Sequence, residues 1–190
     1  MRHKGTKGQR HKERKNISCT LYPVCLYPSV PLHLCAYAVN NFMRILVQRV
    51  NKSKVIVDGN TVAETGKGLL LLVGIGKDDT LDDIEYLTRK IQNLRIFGDD
   101  QGKMNLNVKQ VGGQILSVSQ FTLYADTRKG NRPGFDLSAD PEMAADYWRR
   151  FNLLLRESGL EVKEGIFGAN MEVDMINDGP VTIWLDSKSR

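Results

Sequence analysis

The sequence predicts an α+β domain with a mostly antiparallel sheet, curved or barrel-like, and two main helices. Roughly seven to nine short runs have the apolar and β-branched character of strands. Two longer segments instead repeat apolar residues at helical spacing, and each lies between groups of strands. Helices inserted between groups of strands in this way are typical of the α+β class.

The first strands open the predicted domain. Met43–Val50 has a strand-like pattern, and Ser53–Val57 pairs with Thr61–Glu64 through a hairpin turn at Asp58-Gly59-Asn60. The next run, Leu69–Ile75, is apolar throughout. Such a run is typical of a strand that is buried on both faces.

Two helices are indicated by their caps and their periodicity. Thr80 is a suitable N-cap, and apolar residues then recur every three or four positions to about Phe97. Asp140 precedes a proline at the first helical position of the second helix, which Gly159 closes. Between the helices, Met104–Val108 is predicted to be a short strand.

The last third of the domain is predicted to return to strands. Val162–Phe167 and Met171–Ile176 have strand character and flank a glycine-containing connection. Asn177-Asp178-Gly179-Pro180 has the composition of a tight turn, after which Val181–Leu185 forms the final strand. We therefore expect this Gly-Pro pair to reverse the chain.

Residues 1–42 differ in composition from the rest of the chain. They hold all three cysteines, all three histidines, and seven Lys or Arg against one Glu. Residues 43–190 carry 20 basic and 21 acidic groups, so the net charge of +5 originates in the extension. We expect residues 1–42 to be disordered or a dispensable extension, with a targeting or tethering tail as the alternative, and 43–190 to be the functional domain.

The lack of Cys and His in residues 43–190 restricts the chemistry. It excludes a Cys/His zinc site, a cysteine nucleophile, a Ser-His-Asp triad and disulfides within the domain. We therefore expect neither a metal nor a cofactor. No apolar run reaches the roughly 18 residues that a membrane span needs, so no membrane partner is expected.

The run Ser119-Gln120-Phe121-Thr122 is the first candidate site. It follows the apolar stretch 114–118, so it lies where a buried strand reaches the edge of its sheet. A strand end holds polar groups rigidly, which suits an active site. The alternative is a strand that enters a turn, with its hydroxyls satisfying local backbone groups.

A second candidate is the loop that follows, which is rich in glycine and proline. Arg128, Lys129, Arg132 and Phe135 lie within eight residues of one another. Cations can neutralise phosphates, and an aromatic ring can stack on a base. The loop is therefore either a nucleic-acid contact or a solvated surface loop.

Two motifs resemble the signatures of the D-aminoacyl-tRNA deacylase family. They are the S-Q-F-T-L run from Ser119 and the N-x-G-P-x-T run from Asn177 to Thr182. The start at Met43-Arg44, the K-G-x-R-P loop, and Phe167-Gly168-Ala169 with Met171 are also similar to the family. The resemblance covers 43–190 in order, and residues 1–42 have no counterpart.

The resemblance implies a homodimeric, cytoplasmic esterase that proofreads translation. It would release D-amino acids, and glycine from wrongly charged tRNA, from the 3′-terminal ribose. Gly179 and Pro180 would be joined by a cis peptide bond and would enter the partner's active site, which X-Pro chemistry permits. Phe167, Met171, Asn177 and Thr182, with the loop cations, would contact substrate or tRNA.

A domain that lacks His and Cys can still hydrolyse a reactive aminoacyl ester. Positioning and oxyanion stabilisation suffice when water is the nucleophile. We expect backbone N–H groups near Gln120 and Phe121 to be the oxyanion donors, and Thr122 to orient the carbonyl or the water. A covalent ester on Thr122 is the alternative. Ser119 either bonds the substrate or shapes the strand, and Phe121 either stacks near the terminal adenine or packs in the core.

We expect the selection of D over L substrates to depend on main-chain atoms of the protein. If the carbonyls of Gly179 and Pro180 hold the substrate's amino group, an L side chain meets backbone, a D side chain points outward, and glycine passes. A non-catalytic module that binds the tRNA 3′ end is the competing function. Such a module would protect a charged tRNA, whereas an esterase would discharge it.

Overall fold

The computed structural model describes residues 42–188. The expectation of a dispensable or disordered extension falls on residues 1–42, which lie outside the described residues except for Phe42. The described part contains eight strands, two α-helices and one short 3-10 helix. They are β1 (Arg44–Val57), β2 (Asn60–Thr65), β3 (Gly68–Gly74), α1 (Leu81–Asn93), β4 (Phe97–Gly98), β5 (Met104–Leu106), β6 (Gln114–Ser119), the 3-10 helix (Phe121–Tyr124), α2 (Pro141–Glu157), β7 (Val162–Glu164) and β8 (Glu172–Asp186).

The main sheet has six strands, in the order β2-β1-β3-β6-β7, with β8 paired to β1. β1 is antiparallel to β2, β3 and β8, whereas β3–β6 and β6–β7 are parallel. The α+β class with two helices is confirmed, but the sheet is mixed rather than mostly antiparallel. The reason is that each parallel pair is joined by a long connection that contains a helix. The outer strands β2 and β7 approach each other, so the sheet is a nearly closed barrel.

The first strand is longer than predicted. β1 runs unbroken from Arg44 to Val57, although the sequence suggested two strands with a break near Asn51. Asn51 and Lys52 are exposed, and a polar, exposed pair can remain extended because β8 supplies hydrogen bonds along this part of β1. The hairpin with β2 forms as predicted, with Asp58 and Gly59 at positive φ.

The predicted turn near the end of the chain is wrong, because β8 continues through it. Gln48 of β1 pairs with Thr182 and Val50 pairs with Asn177, so one residue of β1 faces four residues of β8. The four, residues 178–181, form a bulge that we call the Gly-Pro bulge. Pro180 has no N–H to donate to the ladder and Gly179 has a φ of 69°, so both residues suit a bulge.

The core is divided between the two faces of the sheet. Side chains of β3 alternate, so Leu69, Leu71 and Val73 join a large cluster with α1 and α2, whereas Leu70 faces a smaller cluster with Leu116. This confirms that β3 is buried on both faces, as its uninterrupted apolar sequence predicts.

The helices follow their predicted caps. α2 begins as expected, with the Asp140 side chain accepting from two backbone N–H groups of the first turn. α1 ends at Asn93 rather than near Phe97, because Phe97 and Gly98 pair with β5 in a small separate sheet. Within residues 42–188, neither helix combines the length and the hydrophobicity needed to cross a membrane.

Candidate active site

The candidate site lies where the parallel strands β3 and β6 both end. Val73 pairs with Ser119, so the two carboxyl ends reach the same edge of the sheet. The chain then leaves β6 and winds into the 3-10 helix instead of remaining extended. We call residues 119–124 the site turn. Parallel strands commonly place binding groups at this edge.

A pocket of about 610 Å³ opens beside the site turn. Ser119, Gln120 and Phe121 lie on one side of it. Residues 167–171, which we call the pocket loop, and the start of α2 also line it. Most of the other lining groups are apolar: Val73, Ile75, Val118, Ala139, Pro141, Ala144, Trp148 and Val173. A largely apolar pocket with a few polar groups at one side is typical of a small-molecule site.

Thr122 lies next to the lining residues. The Gln120 side-chain amide donates a hydrogen bond to the Thr122 hydroxyl. The Thr122 side chain is exposed. No His or Cys lies in residues 43–190, so the groups that most often activate a hydroxyl nucleophile are missing from the domain.

The backbone amides of the site turn differ in their availability. The Gln120 N–H donates to the Val73 carbonyl at 2.7 Å, so it is already used. The N–H groups of Phe121 and Thr122 open the 3-10 helix, and the first amides of a helix have no acceptor inside it. Of the amides near Gln120 and Phe121, the Gln120 N–H is therefore already used, whereas those of Phe121 and Thr122 have no acceptor within the 3-10 helix.

The predicted basic loop reaches the site through an aromatic contact. The rings of Phe121 and Phe135 meet edge to face, with centroids 4.9 Å apart. Phe121 is 57% exposed, so it is not a core residue. Lys129 and Arg132 are exposed on the same loop but do not line the pocket.

Arg128 is held by its own loop. Its guanidinium donates to both carboxylate oxygens of Asp126, at 2.9 and 2.7 Å. These hydrogen bonds hold the pKa of Asp126 well below its usual range. The positive charge of Arg128 is therefore partly neutralised by Asp126, which leaves it less available to bind a phosphate.

Two residues of the pocket loop were singled out from the sequence, and both line the pocket. Phe167 lies 6.0 Å from Trp148 between ring centroids, and Met171 closes the other end of the loop. Trp148 is almost buried, and its indole N–H donates to the Ser117 hydroxyl at 2.9 Å. Trp148 therefore belongs to the core, but it also forms part of the pocket wall.

The Gly-Pro bulge does not line the pocket of its own chain. Gly179 and Pro180 are exposed. The structure also corrects the expected cis form, because no peptide bond within residues 42–188 is cis. Nearby, Asn177 is exposed and pairs with β1, while the Thr182 hydroxyl donates to the Gln48 side chain at 2.7 Å.

Arg49 is a residue that sequence reasoning missed. It is the β1 residue opposite the Gly-Pro bulge, and its Nε and Nη2 donate to the Asp178 carbonyl at 2.9 and 2.8 Å. Its Nη1 donates to the carbonyl of Ile96. The guanidinium therefore fixes the start of the bulge. Nothing in the strand-like run that contains Arg49 signals this contact.

A buried carboxyl lies behind the site. Asp79 follows β3, is 4% exposed, and accepts a hydrogen bond from the Gly76 N–H at 2.7 Å through one oxygen. Its other oxygen has no hydrogen-bond partner. Burial, together with the charges of Asp83 and Asp186, raises the pKa of Asp79 to about 8, although the Gly76 N–H opposes the shift.

Among the residues that the structure describes, no group of three or more His, Cys, Asp or Glu side chains is arranged to hold a metal ion. The carboxylates near the pocket are engaged in caps and ion pairs instead. Asp140 caps α2, and Asp126 binds Arg128. The polar groups that face the pocket are thus hydroxyls, amides and backbone.

Both the sequence and the fold match known proteins. Residues 46–186 match the family described as D-Tyr-tRNA(Tyr) deacylase. A solved structure titled c-Myc DNA Unwinding Element Binding Protein is 41% identical, with a TM-score of 0.71, covering 75% of this chain and 97% of that one. A structure described as a probable eukaryotic D-amino acid tRNA deacylase has the same fold at 17% identity, with a TM-score of 0.68, covering 76% of this chain and 98% of that one.

The chain belongs to the D-Tyr-tRNA(Tyr) deacylase family, because the match covers most of its length. It is therefore a hydrolase that acts on D-aminoacyl-tRNA. The family resemblance that the two sequence motifs carry is confirmed.

Proposed function

We propose that the protein cleaves the ester of D-aminoacyl-tRNA, and of glycyl-tRNA, with the terminal adenosine held in the pocket beside the site turn. The observation that carries this proposal is the pocket itself. It is largely apolar, large enough for a nucleoside, and bordered at one side by polar groups of residues 119–122. An adenine ring can contact the apolar wall while the ester lies beside the polar side.

The reaction would rest on positioning rather than on an activated side chain. The N–H groups of Phe121 and Thr122 would bind the developing oxyanion, and water would be the nucleophile. Thr122, bonded to the Gln120 amide, would orient the carbonyl or the water. Ser119 would bond the substrate at the same edge. The paired rings of Phe121 and Phe135 would together contact the exposed end of the nucleotide.

The loop cations would contact the tRNA backbone. Lys129 and Arg132 are exposed and positively charged. A cation that binds a phosphate releases a counterion from the nucleic acid, and this release favours binding. Arg128 would contribute less, because Asp126 already pairs with it. Asn177 and Thr182 would act at the edge of β8 rather than in the pocket.

A second copy of the chain would complete the site. β8 pairs only with β1 among the described residues, and it exposes Met175, Ile176 and Trp184. An unpaired, apolar edge strand is a surface that proteins usually cover. Two copies joined through this face would bring the Gly-Pro bulge of one to the pocket of the other. The bulge carbonyls would then exclude L side chains by steric contact.

The direct test is to incubate the full chain with matched D-tyrosyl-, L-tyrosyl- and glycyl-tRNA. We expect rapid release of D-tyrosine and glycine and no acceleration with the L substrate. Protection of all three esters against spontaneous hydrolysis would instead support the tRNA 3′-end binding module. Equal release from D and L forms would remove the proposed chiral role of Gly179 and Pro180.

A further inference from the structure

Arg44, near the start of β1, contacts the site turn from behind. Its Nη1 donates to the carbonyl of Leu123 at 2.9 Å, and its guanidinium lies 4.7 Å from the centre of the Tyr124 ring. Both contacted residues belong to the 3-10 helix whose first amides face the proposed chemistry. A single side chain therefore holds the carbonyl end and the last ring of that helix.

The same guanidinium also joins the site turn to β8. Its Nε lies 3.5 Å from a carboxylate oxygen of Asp186, and its centre lies 5.7 Å from the Trp184 ring. β8 carries the Gly-Pro bulge, so Arg44 connects the two segments that are proposed to meet across a dimer. A planar guanidinium can make all of these contacts at once, whereas a lysine ammonium cannot.

The remaining contacts of Tyr124 show that the turn has little room to move. Its hydroxyl donates to the Phe42 carbonyl at 2.7 Å, and the residue is almost fully buried. A β-carbon placed on Gly74 would come within 3.0 Å of the Tyr124 ring and 3.1 Å of the Gln120 carbonyl. The turn therefore packs directly on the end of β3, and Arg44 closes it from the side of β1 and β8.

We propose that Arg44 is a positioning residue of the deacylase site, which acts by fixing the Phe121–Tyr124 turn through Leu123 and Tyr124. The inference rests on the proposed roles of the Phe121 and Thr122 amides. Misplacing a catalytic group by about 1 Å can cost about 100-fold in rate. Loss of Arg44 should therefore lower kcat strongly and change KM little, because the pocket walls remain.

The test compares Arg44→Ala, Arg44→Lys and Arg156→Ala in the full chain, with D-tyrosyl-tRNA as substrate. Arg156 is a matched control, because its guanidinium also bonds a backbone carbonyl, that of Val162, and pairs with a carboxylate, that of Glu164. It lies at the end of α2 that does not line the pocket. We expect about a 100-fold loss of kcat for Arg44→Ala, a smaller loss for Arg44→Lys, and wild-type kcat for Arg156→Ala.

Chemical rescue separates positioning from a merely structural role. Added methylguanidinium, well below denaturing concentrations, should restore part of the kcat of Arg44→Ala and have no effect on the wild type. Wild-type kcat in a folded Arg44→Ala protein would overturn the proposal. So would a loss that Arg156→Ala shares and that methylguanidinium does not restore.

Amide hydrogen exchange tests the same inference without using activity. In Arg44→Ala, the Gln120 and Ala125 amides, which bond Val73 and Thr122, should exchange faster, while the Trp148 indole N–H stays protected. Unchanged exchange at both amides would overturn the proposal even if the wild type proved inactive. An inactive wild type with faster exchange in the variant would instead reject the proposed function and support the inference that Arg44 fixes the Phe121–Tyr124 turn.

Discussion

The role of Thr122 distinguishes two mechanisms, attack by water and covalent catalysis. As an orienting group it is replaceable, because its hydroxyl acts through hydrogen bonds, including the one from Gln120. We expect Thr122→Ser to keep most deacylase activity and Thr122→Ala to retain a measurable rate. Mass spectrometry of the enzyme quenched during turnover provides the decisive measurement. An aminoacyl group trapped on Thr122 would replace water attack by covalent catalysis.

Asp79 makes stability depend on pH. Its pKa is about 8 when folded against an ordinary value of 3.8, so the folded state holds a proton that the unfolded chain loses. The stability linked to this proton is fully present below about pH 4 and is lost as the pH rises to about 8, at about 1.4 kcal/mol per pKa unit. Asp79→Asn removes this dependence and can still accept from Gly76.

Thermal melting across this range checks the effect of Asp79. We expect Asp79→Asn to gain melting temperature relative to wild type as the pH rises from about 4 to about 8, with no further gain above. Asp99→Asn is a control, because the Lys103 N–H lowers the pKa of this exposed carboxyl. Its linked change in stability therefore lies below about pH 4, so its melting difference from wild type should stay constant across this range. A constant difference between wild type and Asp79→Asn would show that the carboxyl is ionised throughout.

At the scale of elements, the Gly-Pro bulge illustrates how a turn-like sequence can remain within a strand. Asn177, Gly179 and Pro180 have turn chemistry, yet β1 pairs with β8 on both sides of Arg49, with the register shifted across the bulge. The chain absorbs the extra residues as a bulge and Arg49 holds the Asp178 carbonyl. A bulge of this kind re-aims backbone groups without ending the strand.

Gly179→Ala tests the bulge directly. A left-handed conformation costs a residue with a β-carbon about 1–2 kcal/mol, and the added carbon would lie 3.4 Å from Arg49 Nη2. We expect lower stability and a reduced ratio of D- to L-tyrosyl-tRNA hydrolysis. Gly59→Ala is the matched control, since Gly59 also has positive φ but no atom within 4 Å of the added carbon.

The two glycine variants should differ only in selectivity. Gly59→Ala is expected to lose similar stability and to keep the wild-type D-to-L ratio, as measured in parallel deacylation assays. If Gly179→Ala also keeps that ratio, the bulge has no part in chiral selection and shapes only the strand.

For the whole molecule, the exposed face of β8 predicts a dimer that completes the site. Ile176 is 49% exposed on this face, whereas Leu153 is 42% exposed on α2. We expect Ile176→Asp to sediment as a monomer and to lose D-tyrosyl-tRNA hydrolysis, since charge in an apolar interface is costly. Leu153→Asp, a similar change elsewhere, should behave as the wild type.

Concentration dependence gives an independent readout of the same dimer. Specific activity of the wild type should fall on dilution below the dimer's dissociation constant, because each pocket would then lack its partner's bulge. A monomer by sedimentation that retains full specific activity would show that the site is complete within one chain.

The sequence alone determined the class of fold and the family, and it supplied a candidate site at residues 119–122. Periodicity placed β3 and α2 close to their observed bounds, because each has a strong local pattern. The S-Q-F-T-L and N-x-G-P-x-T runs indicated the family without any geometry, since both signatures are present unaltered in this chain. The absence of His and Cys in the domain also narrowed the chemistry without a structure.

Only the tertiary structure decided which polar groups are already used and which segments remain strands. The backbone N–H of Gln120 already donates to the Val73 carbonyl. The Gly-Pro bulge stays within β8 because β1 pairs with β8 on both sides of the bulge. The contacts of Arg44 and Arg49 join residues that are 79 and 129 positions apart in the chain. Such contacts have no local signal, because they depend on which strand ends the folded sheet brings together.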